Sequence, residues 1–200
     1  MPQRGIIVPA PAPRTPPLSS RETLRTYEYH ESMNVFLRAL RLLTIVIWVG
    51  GLIFFAFVEA PTAFKVMGTD RQFALLINGS ITTLNRLGLA AGLIFLIATL
   101  LLWFRSSPHL RKLLLAQMVL VVLMIAATIY VQHGIIPAME RDRTTAGGDI
   151  AAVPSTNPTR ADFDRLHALS EKVEGAALLL GLAVVILMAA EPGPPRRLES

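Results

Sequence analysis

The start of the last apolar segment carries the side chains best suited to chemistry. Asp164, His167, Glu171 and Glu174 are spaced at i, i+3, i+7 and i+10, so a helix would place them on one face. Carboxylates and imidazoles converging there could bind a divalent cation, relay protons or recognise a cationic substrate. The alternative is a solvated helix face on which neighbouring basic side chains compensate the acids.

The same reasoning extends to other segments, because seven titratable residues fall within a turn or two of one predicted membrane boundary. This candidate polar cluster at the outer face consists of Glu59, Arg71, Arg86, His133, Arg141, His167 and Glu174. A charge at the lipid boundary gains by turning inward to a partner of opposite sign. We therefore expect at least one Arg–carboxylate pair in the cluster, and we expect His167 to face the bundle. The alternative is that these side chains point separately into water.

Catalytic and metal chemistry is not indicated by the sequence. The chain has no cysteine, which excludes disulfides, thiolate metal sites and cysteine nucleophiles. It has no HExxH, no GxSxG and no phosphate-binding glycine loop. Only His133 and His167 could meet, near the surface, which is a weak basis for binding a haem. We predict no enzyme activity, no catalytic residue, no metal site and no cofactor.

Four stretches without any charged side chain determine the predicted fold class. A helix rises ~1.5 Å per residue, so about 20 apolar residues cross a hydrocarbon core of ~30 Å. The four stretches have 17, 18, 27 and 16 residues, and the two shortest can recruit a flanking turn. We predict an all-α polytopic membrane protein, a four-transmembrane-helix bundle. Its predicted spans are about 37–59, 84–105, 112–137 and 172–190.

The composition agrees with a membrane protein and argues against nucleic acid as a partner. The chain is 52% hydrophobic and 16% charged, with a mean hydropathy of +0.51, and its 200 residues hold one bundle. The pI near 10.2 reflects basic residues at the span ends rather than a basic patch interleaved with aromatic side chains. We predict the lipid bilayer as the partner, and no nucleic acid.

The segments outside the spans divide the rest of the chain. Residues 1–20 contain six prolines, which remove backbone donors and predict a disordered tail. Residues 21–34 predict an amphipathic juxtamembrane helix that lies at the surface before the chain enters the membrane. The predicted transmembrane domain covers 35–190, and residues 191–200 are assigned to a C-terminal tail.

The distribution of charge favours a cytoplasmic N-terminus and a cytoplasmic C-terminus. In this orientation eleven basic residues lie inside and eight outside, whereas five acids lie inside and nine outside. The short 105–112 turn has three basic residues and no acid, and short loops carry most weight in the positive-inside rule. We therefore predict a multi-pass protein of the inner (plasma) membrane.

Small residues at helical spacing predict where the helices approach one another, because they let two backbones come close. We assign helix packing to Gly50, Gly51, Gly88, Gly92, Ala177 and Gly181. No ionisable side chain lies at the predicted midplane of any span. This disfavours a monomeric secondary transporter, although an oligomer could build a pore between its subunits.

Four stretches of the sequence resemble a known membrane family. They are WVGGLIFFAFVEAPTAF at 48–64, RQFALLING at 71–79, IIPAMER at 135–141 and FDRLHALSEKVEG at 163–175. Together with the four spans, over about residues 35–190, they resemble the domain of unknown function 4149 family, which is related to transmembrane protein 205. The resemblance implies a four-helix bundle with its polar motifs on one membrane face, and it supplies no reaction and no catalytic residues.

Two functional hypotheses follow from these observations. The leading one is a non-enzymatic integral membrane protein that acts through interaction or assembly with a membrane-protein partner or a second copy of itself. The alternative is a small transport or resistance protein for metal or toxic cations. The alternative is motivated by the resemblance, since the eukaryotic relative is associated with resistance to a platinum drug and a distant likeness extends to copper-resistance membrane domains.

Overall fold

The fold is taken from a computed structural model, which describes residues 18–68 and 71–192, with side chains for 31–68 and 72–192. In chain order the elements are α1 (Leu18–Phe54), a π turn (Phe55–Glu59), α2 (Ala60–Met67), α3 (Arg71–Arg105), α4 (Pro108–Tyr130), a second π turn (Val131–Ile135), α5 (Ile136–Thr145), a 3₁₀ turn (Ile150–Ala152) and α6 (Pro158–Ala189).

The two predicted tails lie mostly outside the described residues, which begin at Leu18 and end at Pro192. The segment 21–34, predicted as a juxtamembrane helix, belongs to α1 and continues without a break into the first span. Residues 18–36 form the N-terminal part of α1, and the bundle described below is built from Leu37 onwards.

Four helical segments are long and apolar enough to cross a membrane, which confirms the predicted all-α polytopic fold. They are Glu31–Met67, Gln72–Arg105, Pro108–Thr145 and Pro158–Ala189, with 37, 34, 38 and 32 residues. At ~1.5 Å per residue each is roughly 50 Å long, whereas the hydrocarbon core is ~30 Å thick. The helices therefore project beyond the hydrocarbon, and the projecting ends build the candidate site.

The outside of the bundle is apolar as well. Large exposed hydrophobic side chains run along every span, and such a continuous apolar surface suits contact with lipid rather than with water. Examples from the middle of the spans are Leu43, Val46, Leu93, Ile97, Val122, Leu179 and Ile186.

The buried side chains recur every three and four residues, which is the spacing of a heptad repeat. On α3 this stripe is Ile81, Asn85, Gly88, Gly92, Phe95, Thr99 and Leu102. On α4 and the π turn after it, the stripe is Leu114, Gln117, Val121, Met124, Thr128, Val131 and Ile135. α3 and α4 therefore each present one narrow buried stripe to their neighbours, and both stripes include polar residues.

Trp48 is the centre of the packing between α1 and α3. Its side chain is 1% exposed, and its indole lies in a slot formed by Gly88 and Gly92. A Cβ on Gly88 would lie 2.7 Å from Trp48 Cδ1, and one on Gly92 would lie 2.6 Å from Trp48 Cζ3, so only glycine leaves room. On α6, Gly181 admits α1 in the same way, because a Cβ there would lie 2.5 Å from Val49 Cγ2.

The other small residues assigned to helix packing divide into two groups. Gly51 lies against Leu84 of α3, at 2.5 Å from an added Cβ to Leu84 Cδ1, and Ala177 of α6 is buried. Gly50 differs from its assignment, because it is exposed and an added Cβ would meet nothing within 4 Å. Adjacent residues point about 100° apart on a helix, so Gly50 turns away when Gly51 faces α3.

Two π turns occur at equivalent places. Each ends two residues before a proline: Phe55–Glu59 precedes Pro61, and Val131–Ile135 precedes Pro137. Proline lacks the N–H that would bond the carbonyl four residues earlier, and its ring crowds that carbonyl, so a wider turn relieves the clash. Both turns lie at the same end of the bundle, because α1 and α4 run in the same direction.

The two ends of the bundle are named here by what they contain. The cavity end holds the π turns, α2, α5 and the first turns of α3 and α6. The network end holds the short α3–α4 connection and the last turn of α6.

Candidate functional site

A cavity of about 630 Å³ occupies the cavity end of the bundle. Its floor includes Leu52 and Ile81, which are buried in the bundle core. Above the floor, five aromatic rings from the first π turn, α2, α3 and α6 line it: Phe55, Phe57, Phe64, Phe73 and Phe163. A cavity of this size and apolar character is typical of sites for drug-sized ligands.

Different elements surround the cavity on its two sides. The first π turn and α2 follow the first span and contact α3, whereas α5 packs against α6. Phe64 and Phe73 meet edge to face, with 6.0 Å between ring centroids, and close the side between α2 and α3. Phe57 and Phe64 are 70% and 55% exposed, so the aromatic lining continues onto the outer surface.

The opposite wall, from α5 and α6, is charged. Arg143 pairs with Glu140 at 2.7 Å, and Arg160 pairs with Asp164 at 3.2 Å. Arg160 also donates to the backbone oxygen of Ile150 at 2.9 Å, which fixes the 146–157 loop over the cavity. Both arginines of the lining are therefore already engaged by carboxylates.

Three residues further along α6 complete this wall. His167 Nε2 lies 3.3 Å from Glu171 Oε1, and the His167 ring stacks on Phe163 at 6.3 Å between centroids. Glu174 is half-buried at the base of the wall, and it has no hydrogen-bond or ion-pair partner among the described side chains. It also borders a small void beside Asn85, which places its carboxyl group between the cavity and the bundle interior.

Of the seven residues in the predicted polar cluster, the cavity brings together only His167 and Glu174. Glu59 is half-buried and does not line the cavity, and the side chain of Arg71 lies outside the described residues. The remaining three are exposed and also lie outside the lining: Arg86, His133 and Arg141.

The expected Arg–carboxylate pair does not form among the described members of the cluster. Within 31–68 and 72–192, each ion pair at the cavity end joins residues three or four apart on one helix. Side chains at this spacing reach each other on one helix, whereas a pair between two helices would require the helices to move together across the cavity. Pairing within one helix is therefore favoured. His167 does line the cavity, but its side chain is 58% exposed rather than enclosed in the bundle.

Metal ligation has no support in the part of the chain whose side chains are described. No three His, Asp or Glu side chains come close enough there to hold a metal ion. The absence of metal and cofactor remains a prediction from the sequence.

A polar contact joins α3 to the second π turn in the bundle interior near the cavity. Asn85 of α3 is buried and its Nδ2 donates to Gln132 Oε1 of the second π turn at 3.3 Å. A hydrogen bond between spans is favourable in lipid, because neither amide has water as an alternative partner.

At the network end, sequence analysis missed a buried ion pair. Arg41 of α1 is 0% exposed, and its guanidinium donates to Glu191 Oε1 at 2.7 Å, to Glu191 Oε2 at 3.3 Å and to Gln117 Oε1. Gln117 of α4 donates in turn to Glu191 at 3.0 Å, and the Arg41 guanidinium lies 5.2 Å from the centre of the Phe95 ring of α3. Three spans and the residues that directly follow α6 therefore meet at one buried positive charge.

The sequence contains a signal for this network. Arg41 follows Leu37 by four residues and precedes Ile45 by four, which places it on the buried stripe of α1. Glu191 had been assigned to the C-terminal tail, but its side chain is only 8% exposed. A charged residue on an apolar stripe is costly unless it is paired, so the stripe position of Arg41 is evidence for a buried carboxylate.

Comparison with known proteins identifies a family and adds no reaction. A family model described as domain of unknown function (DUF4149) matches residues 43–146, which is 104 of 200 residues. No curated protein and no solved structure matches the chain. The matched region covers most of the first span, the spans of α3 and α4, and the π turns at the cavity end.

Proposed function

The chain belongs to the DUF4149 family, and we propose that it is a non-enzymatic integral membrane protein that binds another membrane component in its cavity. The cavity of about 630 Å³ is the observation that carries this proposal. Its aromatic lining reaches the exposed surface of the bundle at Phe57 and Phe64, and Phe57 lies within the predicted first span, so a component of the bilayer can enter there without crossing water. A lipid or an apolar segment of a membrane-protein partner fits this description.

We propose further that the protein resides in the plasma membrane with both termini in the cytoplasm. The charge count and the basic 105–112 turn support this orientation. The cavity end would then face the exterior, because the α3–α4 connection lies at the other end of the bundle. The proposal that the protein is not an enzyme is supported by the lack of a catalytic motif in the sequence.

A glycine in the lining permits a direct test. Gly175 of α6 lines the cavity, and an added Cβ there meets nothing within 4 Å, so Gly175→Phe adds a large side chain to the lining without a backbone clash. Gly50→Phe is the matched control, since Gly50 is also a helical glycine with open space around it and lies outside the lining. Both changes remove a helix-destabilising glycine, so neither is expected to unfold the bundle.

The measurement is native mass spectrometry of protein extracted in mild detergent. We expect the wild type and Gly50→Phe to retain a bound component that Gly175→Phe loses. Equal occupancy in all three proteins, or no bound component in any of them, would contradict the proposal.

The cation-handling alternative is favoured by one observation. The cavity lining holds five carboxylates against two arginines: Glu140, Asp149, Asp164, Glu171 and Glu174 against Arg143 and Arg160. Transport or resistance would follow if such a cation crossed or left the bilayer through this site. A deletion strain with unchanged tolerance to copper, zinc, platinum compounds and organic cations would count against this alternative.

A further inference from the structure

We infer that the cavity selects an amphiphilic organic cation, with an aromatic or aliphatic body and a single permanent positive charge, and that Glu174 receives that charge. This inference rests on the proposed binding function and names the class of ligand. Three properties of the cavity carry it: unneutralised charge, aromatic faces and the position of Glu174 at the base of an apolar space.

The charge of the lining is not balanced by its own residues. The two arginines are taken up by Glu140 and Asp164. Asp149 is occupied by backbone N–H groups, since its Oδ1 accepts from Ala151 and Ala152 at 3.0 and 3.3 Å. This leaves Glu171 and Glu174 of the five acids.

These two carboxylates differ in their surroundings. Glu171 is largely exposed and contacts His167 at 3.3 Å, so water and an imidazole already serve it. Glu174 is half-buried and lacks a described partner, and it lies one turn away from Glu171, which has the same charge. A half-buried carboxylate has less contact with water than an exposed one, so it gains more from a bound cation.

The aromatic rings suit the rest of such a ligand. Ring faces attract cations, and the effect grows where water is excluded. The cavity already shows this chemistry, because the Arg143 guanidinium lies 5.6 Å from the centre of the Phe163 ring. Phe55 and Phe57 provide further rings on the opposite wall, where the lining has no basic residue to repel a cation.

The geometry also explains why the ligand is organic rather than a metal ion. A small metal ion requires several oxygen or nitrogen ligands at short distance. The described side chains offer no such group of three, whereas they offer one carboxylate beside a large apolar volume. An amphiphile places its charge on Glu174 and its body among the phenylalanines.

Two ions of the same shape and opposite charge test the inference: tetraphenylphosphonium and tetraphenylborate. The full chain is reconstituted in lipid nanodiscs, and saturable binding is measured by equilibrium dialysis against empty nanodiscs, which corrects for partition into lipid. We expect the phosphonium to bind at one site per chain and the borate to show no saturable site. This comparison uses only the wild type, so it does not depend on the folding of any variant.

Variants then identify the residue. We expect Glu174→Gln to weaken phosphonium binding by about tenfold or more, since one partner of a partly buried charge pair is lost. Glu59→Gln is the matched control, because Glu59 is also half-buried at this end and does not line the cavity, and it should leave binding unchanged. Gly175→Phe should abolish binding.

The outcomes separate this inference from the proposed function. One possible result is that both ions bind equally, that Glu174→Gln has no effect and that Gly175→Phe abolishes the binding of both. In that case the cavity binds ligands without selecting cations, and only this inference is wrong. If neither ion binds saturably, this inference also falls, and the native mass spectra decide the proposed function independently. Equal weakening by Glu174→Gln and Glu59→Gln would show a general effect of surface charge and would overturn the assignment to Glu174.

Discussion

Removing the carboxylate of Glu191 should destabilise the bundle far more than an ordinary salt-bridge mutation. Glu191→Gln keeps the size of the side chain but leaves the Arg41 guanidinium, which is 0% exposed, without a counter-charge. A buried charge that has lost its counter-charge is costly. The remaining partners, Gln117 and the Phe95 ring, are neutral.

The magnitude follows from how buried ion pairs behave. Breaking such a pair by removing one partner typically costs about 3–5 kcal/mol, whereas replacing both partners with apolar residues is often close to neutral. We therefore expect Glu191→Gln and Arg41→Met each to be strongly destabilising. Arg41→Met destabilises because it leaves the Glu191 carboxylate, which is 8% exposed, without its partner. The double variant Arg41→Met/Glu191→Met should recover most of the loss.

The assay is a double-mutant cycle, with unfolding followed by circular dichroism in mixed micelles as the fraction of denaturing detergent increases. Asp162→Asn is the control, because its pair with Arg165 has side chains 47% and 75% exposed and should contribute only ~0.2–0.5 kcal/mol. If Glu191→Gln costs no more than this control, or if the double variant is as unstable as the sum of the singles, Arg41 is not neutralised by Glu191 as described.

Three further predictions concern packing, polar contacts and orientation. Gly88→Leu should cost about 1–3 kcal/mol in the same unfolding assay by displacing the indole that fills its slot, whereas Gly50→Leu should be neutral or stabilising by up to ~1 kcal/mol. Asn85→Leu should cost about 0.6–1.7 kcal/mol by removing a hydrogen bond between spans; no loss would show that this bond adds nothing in lipid. Because the chain has no cysteine, single variants can report orientation in intact cells: Ile150→Cys should react with an impermeant maleimide, and Ser107→Cys only after permeabilisation. The reverse labelling would overturn the proposed orientation.

The fold was predictable because lipid leaves few choices. Uncharged runs near 20 residues can only be helices or barrel strands in a bilayer, and continuous apolar runs exclude the alternating pattern of barrel strands. The close approach at Gly88 and Gly92 was predictable for a similar reason, since small residues four apart are useful only where another helix comes near. The adjacent pair Gly50–Gly51 could not be resolved by this rule, because the rule does not say which of two neighbours faces inward.

The candidate site was less predictable, because residues near one boundary can still lie on different faces. Arg86 and His133 are at the expected depth but are exposed and lie outside the cavity lining. The aromatic half of the cavity was also missed, since phenylalanines in and near apolar spans resemble ordinary lipid-facing side chains in sequence. A heptad analysis of the spans would have placed Arg41, Asn85 and Gln117 in the core, because each occupies a stripe position among apolar residues.

The contrast between the two ends of the bundle has a physical consequence. In lipid the helices gain little from hiding apolar surface, so packing and polar contacts must hold the bundle closed. The glycine slot for Trp48 and the Arg41–Glu191 pair supply those contacts at the middle and at the network end. The cavity end does not need ion pairs between helices for the bundle to stay closed. Its described ion pairs lie within single helices, and Glu174 has no described partner. A ligand that binds Glu174 would supply there the contact between helices that Arg41 supplies at the opposite end. It should therefore raise the stability of the whole bundle by an amount that grows with the logarithm of the ligand concentration divided by its dissociation constant.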